Sequence, residues 1–478
     1  MMTSGRMRKA ILTYAGVVGL PAAALFAIIS VGERLSAPAI QRLSLVASSA
    51  KAAGPPVAAP NLALLVGQIG LIVLLSLVVG RLVEKIGQPR VVGEVLAGIL
   101  LGPSLLGWVA PQVSAFLFPA ASLGILNAIS QLGLVLFMFM VGLELNVGEL
   151  KGQGHVAVVV SHASITAPMA LGAALALYLY PRLSTPGTSF AGFALFMGVA
   201  MSITAFPVLA KILSERKLLR SRLGTMAISC AAVDDVTGWC VLAGVVAFVR
   251  SSHSSLPLWA TLLGLPVYLA IMFWAGRKLL RKFELAWLTD NELSNTYKAL
   301  LLVFLLISAL STEALGLHLL FGAFVAGAIM PKNPGLVASL IQRFESLTIL
   351  LLLPLFFAYT GLRTSIGQIH GVGMWGICLL IIAVAVTGKL GGTGIAARLS
   401  GVGWKESFAL GSLMNTRGLM ELVVLNIGLD IKIISPPLFS MMVIMAIATT
   451  MMAPPVLAWL YPAGARELAD PQPVQHGG

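Results

Sequence analysis

The chain has 478 residues, of which 58% are hydrophobic and only 10% are charged. A soluble domain carries roughly a quarter charged residues, so the composition excludes a water-soluble globular protein and makes the bilayer the solvent. The formal charge of +13 is read as loop Lys and Arg that set membrane orientation, not as a nucleic-acid surface.

In chain order, the first segment pairs a basic start, MMTSGRMRK, with an apolar run at 10–31 and then an Ala/Pro-rich stretch to residue 60. It reads as a cleaved signal or a retained anchor. The run is longer than the 7–15 residues of a signal core, which favours an anchor followed by an extracytoplasmic linker. Further runs of spanning length fall near 61–83, 91–107, 121–142, 155–180, 189–213, 224–249, 257–276, 297–313, 316–331, 344–361, 371–395, 405–427 and 438–461. The expectation is an all-α polytopic membrane protein with about 13 core transmembrane helices plus the N-terminal hydrophobic segment.

Loop charge alternates along these runs. The loops at 81–90, 211–222 and 277–282 are rich in Lys and Arg, for example Arg81, Lys85, Lys211, Arg222, Arg277 and Lys282. The intervening loops hold only Arg182, Arg250, Arg363 and Lys432. The basic loops and the C-terminus are therefore expected in the cytoplasm. Residues 462–478 read as a short polar tail, with no soluble regulatory domain. Cys230, Cys240 and Cys378 lie in apolar segments without a CxxC or Cys/His cluster. No disulfide framework, zinc site or cofactor is expected.

Residues 198–207 read GVAMSITAFP, and residues 411–418 read GSLMNTRG. Both share G-x-x-M followed by small polar residues. Both carry helix breakers in an apolar span: Pro207 in the first, Gly411 and Gly418 in the second. Pro removes a backbone donor, and freed backbone at that depth must line a cavity or be buried in protein. The charge alternation runs the two segments in opposite directions. Interrupted helices in matching places of two inverted halves point to a transporter's midplane site.

The next span contains AAVDDVTGW (231–239). Asp234 lies twelve residues from Arg222, or about 18 Å along a helix, near the midplane. Adjacent helical residues do not face each other, so Asp234 and Asp235 are expected to do different work. Intramembrane ionisable groups mark functional sites by default. Lys389 reaches similar depth, flanked by Gly388, Gly391, Gly392 and Gly394, which admit a neighbouring helix; a buried Lys389–Asp pair is expected. Arg417 and Glu421 are four apart on one helix face and are expected to form a neutralising structural pair. His155, His162 and His318 are assigned to helix ends or packing.

The stretches GEVLAGILLGPSLLG (93–107), FMVGLEL (139–145), SITAFPVLAKIL (202–213), AAVDDVTGW, FGAFVAGAIMP (321–331), PLFFAYTGL (354–362) and MNTRGLMELVVLNIGLD (414–430) resemble the cation:proton antiporter family that includes Kef-type and plant CHX-type exchangers. The resemblance covers roughly 61–461. It implies a homodimer with the inverted-repeat sodium/proton antiporter fold, two crossed broken helices, and elevator-type alternating access. It also implies a core at about 121–249 and 371–461 and a dimerisation part at about 61–107 and 257–361. By motif, Asp235 matches the family's ion-binding aspartate. Asp234 and Lys389 resemble the pair of electrogenic members. Ser202 and Thr204 fall in the first break, with Asn415 and Thr416 in the second. The first break reads Thr204-Ala205 where some sodium/proton exchangers carry Thr-Asp, and gating through a nucleotide-binding domain of the Kef type is not expected.

The resulting expectation is an antiporter, not an enzyme, that exchanges Na⁺ or K⁺ for H⁺, serves pH homeostasis and sits in a bacterial inner membrane. Asp235 would bind either the proton or the metal cation. Asp234, Thr204, Ser202 and Asn415 would complete the site, and Lys389 would be the charge partner that makes exchange electrogenic. A gated or passive cation channel on the same scaffold, or a solute symporter of related fold, are the competing readings.

Overall fold

The computed structural model describes residues 13–38, 62–144, 154–219, 221–251, 258–290 and 294–461. Among them every regular element is helical, apart from one isolated backbone bridge between Ser184 and Ile434. A helix satisfies its own backbone hydrogen bonds, which hydrocarbon demands. The α-helices of ten residues or more are α1 (Leu20–Gly32), α2 (Leu62–Lys85), α3 (Arg90–Leu101), α4 (Ala120–Glu144), α5 (Gly154–Leu183), α6 (Phe190–Ser202), α7 (Phe206–Glu215) and α8 (Arg222–Ser251). They continue with α9 (Leu258–Ile271), α10 (Arg277–Asp290), α11 (Asn295–Ala314), α12 (Leu319–Ala328), α13 (Pro334–Leu347) and α14 (Leu353–Arg363). The last four are α15 (Gly371–Leu399), α16 (Trp404–Met414), α17 (Leu419–Asp430) and α18 (Pro436–Leu460).

Twelve of these helical spans are long and apolar enough to cross a membrane, or thirteen if the bent pair α16–α17 counts as one. The expected run at 316–331 is the exception. It yields only α12, a helix of 10 residues, about 15 Å long against a hydrocarbon core of about 30 Å. Its shortness is offset by intimacy with α4. A Cβ on Gly142 would lie 2.2 Å from the Phe324 carbonyl, and one on Gly327 would lie 2.1 Å from that of Phe139. Small residues let membrane helices approach backbone to backbone. Lys332 then caps both helix ends, donating to the carbonyls of Gly142, Leu143 and Gly327.

The helices sort into two packed groups. In the first, α5 packs against α6, α8 and α15, α15 against α16 and α18, and α17 against α18. In the second, α3 packs against α2 and α14, and α4 against α12, α13 and α14. The N-terminal α1 lies on α5. At the basic end, Lys211 of α7 pairs with Glu84 of α2 at 3.1 Å. At the opposite end, Arg250 of α8 pairs with Glu313 of α11 at 3.0 Å, and Arg363 of α14 with Asp430 of α17 at 2.6 Å.

Candidate ion site

Two helices break at the same place. The first span stops at Ser202 and resumes at Phe206; the second stops at Met414 and resumes at Leu419. Pro207 sits in the first turn of α7, where a missing N–H costs nothing, so it starts the second half-helix. Gly418 marks the end of the second break. A Cβ there would come within 2.7 Å of the Val208 side chain and 3.2 Å of the Ala205 Cβ, so a side chain at this position would press on the first break. Gly411 is not a break residue. It lies inside α16, where its missing side chain admits the Leu390 backbone of α15.

The freed backbone groups are exchanged between the breaks. Ala205 N donates to Thr416 O at 3.0 Å, and Thr204 Oγ1 donates to Met414 O at 2.9 Å. Arg417 completes the crossing. Its guanidinium donates to Ala200 O and Met201 O at 2.6 and 2.7 Å and to Glu421 Oε2 at 2.8 Å. Those two carbonyls belong to the last turn of α6, the negative end of its dipole, where a cation is favoured. Arg417 is therefore more than the local partner of Glu421, since it ties the second broken span to the first. Thr450 of α18 also exchanges hydrogen bonds with the Arg417 backbone.

Lys389 enters from α15 and is fully buried. Its ammonium has three donors, and all are used: Ser164 Oγ at 2.9 Å, Thr204 Oγ1 at 2.7 Å and Asp234 Oδ2 at 3.3 Å. The expected Lys–Asp contact is thus present, between α15 and α8. The glycines beside Lys389 admit a different helix. Cβ atoms on Gly388 and Gly392 would meet Pro168 and Ala167 of α5, and α5 is the helix that carries Ser164. Sequence reasoning missed Ser164. Its only signal was a serine on the α5 stripe SHAS, which looks like ordinary small-residue packing.

Around this crossing four carboxylate and amide oxygens are buried without a partner: Asp234 Oδ1, Asp235 Oδ1, Asn415 Oδ1 and Glu421 Oε1. Ser202 does not join them. Its hydroxyl donates to Ile165 O and Gly198 O, tying α6 to α5. Thr204 is occupied as well, holding Lys389 on one side and the second break on the other. Of the histidines, His162 bonds Tyr14 Oη at 2.9 Å and His318 caps α12; the His155 side chain lies outside the described residues.

The sequence and the fold were compared with known proteins. The family profile described as "Sodium/hydrogen exchanger, transmembrane" matches residues 71–461. The chain is 42% identical over 406 residues to the Na⁺/H⁺ antiporter NhaS4 of Synechocystis, covering 85% of this chain and 99% of that protein. It is also 42% identical over 406 residues to cation/H⁺ antiporter 17 of Arabidopsis thaliana, covering 84% of this chain but 49% of the plant protein. The fold matches the sodium proton antiporter MjNhaP1 of Methanocaldococcus jannaschii with a TM-score of 0.60 at 15% identity, over 86% of this chain and all of that one.

Proposed function

Because this chain belongs to the sodium/hydrogen exchanger family, we propose that it exchanges a monovalent cation, Na⁺ or K⁺, for protons across the membrane. The observation that carries this reading is the group of open oxygens on Asp234, Asp235 and Asn415, buried where two broken helices cross. A dehydrated alkali cation needs several oxygen ligands, and unpartnered buried acceptors are costly without an occupant. The relatives named as antiporters support the direction of coupling.

In this reading Asp235 is the carrier, holding either a proton or the metal cation. Asn415 and carbonyls freed at the breaks complete the oxygen shell. Asp234 is held by Lys389 until the cation draws it away, and the lysine charge then makes exchange electrogenic. Thr204 and Ser164 position the lysine. Arg417 and Glu421 fix the crossing and carry no ion.

The moving core in this proposal is the first helix group, α5–α8 and α15–α18, working by elevator-type alternating access. The second group forms the homodimer contact. Helix α4 sides with that second group, because it packs on α12, α13 and α14. The site faces a bacterial inner membrane's two aqueous sides in turn, with the basic end cytoplasmic.

The test is transport by the full chain in proteoliposomes, with Na⁺, K⁺ and Li⁺ compared at several pH values. Asp235→Asn should abolish cation-driven proton movement. Retained coupling in that variant removes the carrier assignment. Cation flux without proton movement in the wild type would make the protein a channel.

A further inference from the structure

Two buried hydroxyls of the transport bundle stand outside the ion site. Among the described residues, four buried side-chain hydroxyls lack a hydrogen-bond partner: Ser76, Ser161, Thr348 and Thr393. Ser76 and Thr348 belong to the second helix group. Ser161 on α5 and Thr393 on α15 belong to the first, and both are fully buried. Helical hydroxyls elsewhere in that group donate to the carbonyl one turn back, as Thr166 does to His162, Thr387 to Ala383, Thr449 to Met445 and Thr450 to Ala446. That bond satisfies a hydroxyl without help from another helix. Ser161 and Thr393 do not make it.

Their positions tie them to the buried lysine. Thr393 is four residues after Lys389, and Ser161 is three before Ser164. Each therefore shares a helix face with a member of the lysine cluster, one turn nearer the basic end. The seam between α5 and α15 brings these faces together. A Cβ on Gly392 would lie 2.6 Å from Ala167 Cβ and 3.0 Å from Ala163 O, and one on Gly388 would lie 3.0 Å from Pro168 Cα. One turn is about 5.4 Å, within the swing of a lysine's flexible four-carbon stem. An ammonium has three donors to satisfy. Here they go to Ser164, Thr204 and Asp234. Ser164, Ser161 and Thr393 make a second set of three oxygens, with Ser164 common to both.

We propose that Ser161 and Thr393 form a second seat for the Lys389 ε-amino group, taken up when a bound cation draws Asp234 away. The proposal rests on the lysine-release step of the function proposed above and says where the lysine goes. The surrounding side chains are apolar, including Ala157, Val160, Ala163, Ala396 and Ala397. A polar group released among them without hydrogen bonds would be costly, and that cost would hold the lysine on Asp234. A hydroxyl both donates and accepts, so the seat suits the amino group with or without its third proton. The seat then sets the apparent cation affinity: the better it holds the lysine, the less the cation has to overcome. Ser161 and Thr393 are positioning residues, and neither touches the ion.

The test uses the full chain in proteoliposomes, with Na⁺- and K⁺-driven proton exchange and the thermal midpoint in detergent as readouts. Ser161→Ala with Thr393→Val should raise the cation KM about tenfold and leave the maximal rate near wild type. The midpoint should stay level or rise, because each change removes a buried hydroxyl that has no partner to lose. Thr393→Ser keeps the hydroxyl and should keep the wild-type KM. In a Lys389→Ala background the double substitution should shift KM no further, since the seat has lost its occupant. The single variants Ser161→Ala and Thr393→Val carry the same test if the double variant does not fold. An unchanged KM overturns the seat and leaves the exchange reading standing, as does an equal shift in the absence of Lys389. Wild-type chain that shows no cation-driven proton exchange overturns the exchange reading and the seat with it.

Discussion

Two ion pairs lie buried in the transport bundle, and they are built differently. Arg417–Glu421 is local, four residues apart on one helix, and the arginine also holds two carbonyls of the other broken span. Lys389–Asp234 joins two helices at a longer 3.3 Å, and the lysine's other partners are the side chains of Ser164 and Thr204; in both pairs one carboxylate oxygen stays open, Asp234 Oδ1 and Glu421 Oε1. The first pair is fastened to backbone that cannot leave. The second is fastened to side chains, each able to change partner. A buried charge pair is a poor source of net stability, so its arrangement says more than its presence. One arrangement holds the crossing together; the other is free to exchange.

That contrast can be broken in several places. The largest stability effect is expected from Arg417→Ala, which leaves Glu421 alone and uncaps α6. Removing one partner of a buried pair costs about 3–5 kcal/mol, so the thermal midpoint in detergent should collapse. A midpoint close to wild type would show that Arg417 braces nothing. Asp235→Asn is expected to do the reverse: the fold stays intact by the same assay while exchange disappears. Loss of both together would assign Asp235 to structure.

Lys389→Ala comes next. It removes three hydrogen bonds and strands the Asp234 carboxylate as Arg417→Ala strands Glu421, but it leaves no helix-end carbonyls uncapped. A cost at the lower end of about 3–5 kcal/mol is expected, smaller than for Arg417, and transport should lose its response to an imposed membrane potential. If wild-type transport ignores the potential, the electrogenic role of the pair is wrong. Thr204→Val should cost about 1–3 kcal/mol by stranding the Met414 carbonyl and should slow exchange, read as initial rate in proteoliposomes. Ser164→Ala is the mildest, near 1 kcal/mol. A Ser164 variant as damaging as Thr204→Val would mean that the lysine rests on α5 more than on the first break.

The same distinction explains which parts of the site the sequence could reveal. Asp234, Asp235, Lys389, Arg417 and Glu421 stood out because charge is rare in apolar spans, and hydrocarbon makes that rarity informative. The Arg417–Glu421 contact followed from helical spacing alone. The breaks were visible through Pro207 and Gly418, although the first interruption precedes the proline and Gly411 proved to be a packing glycine. The hydroxyls were not separable. Ser164, Ser202, Thr204 and Thr450 are equally common small residues in membrane helices, and nothing local says which one faces the lysine and which faces a carbonyl.

By itself, the chain's apolar runs, loop charges and buried ionisable residues determined a polytopic helical membrane protein with a midplane site, because the bilayer forbids both unpaired backbone and unexplained charge. Tertiary structure alone decided that α12 is too short to span, that α5 supplies a lysine ligand, and that Arg417 reaches across to α6. Those depend on contacts between segments hundreds of residues apart, set by where glycines let backbones touch, and no local periodicity encodes such distances.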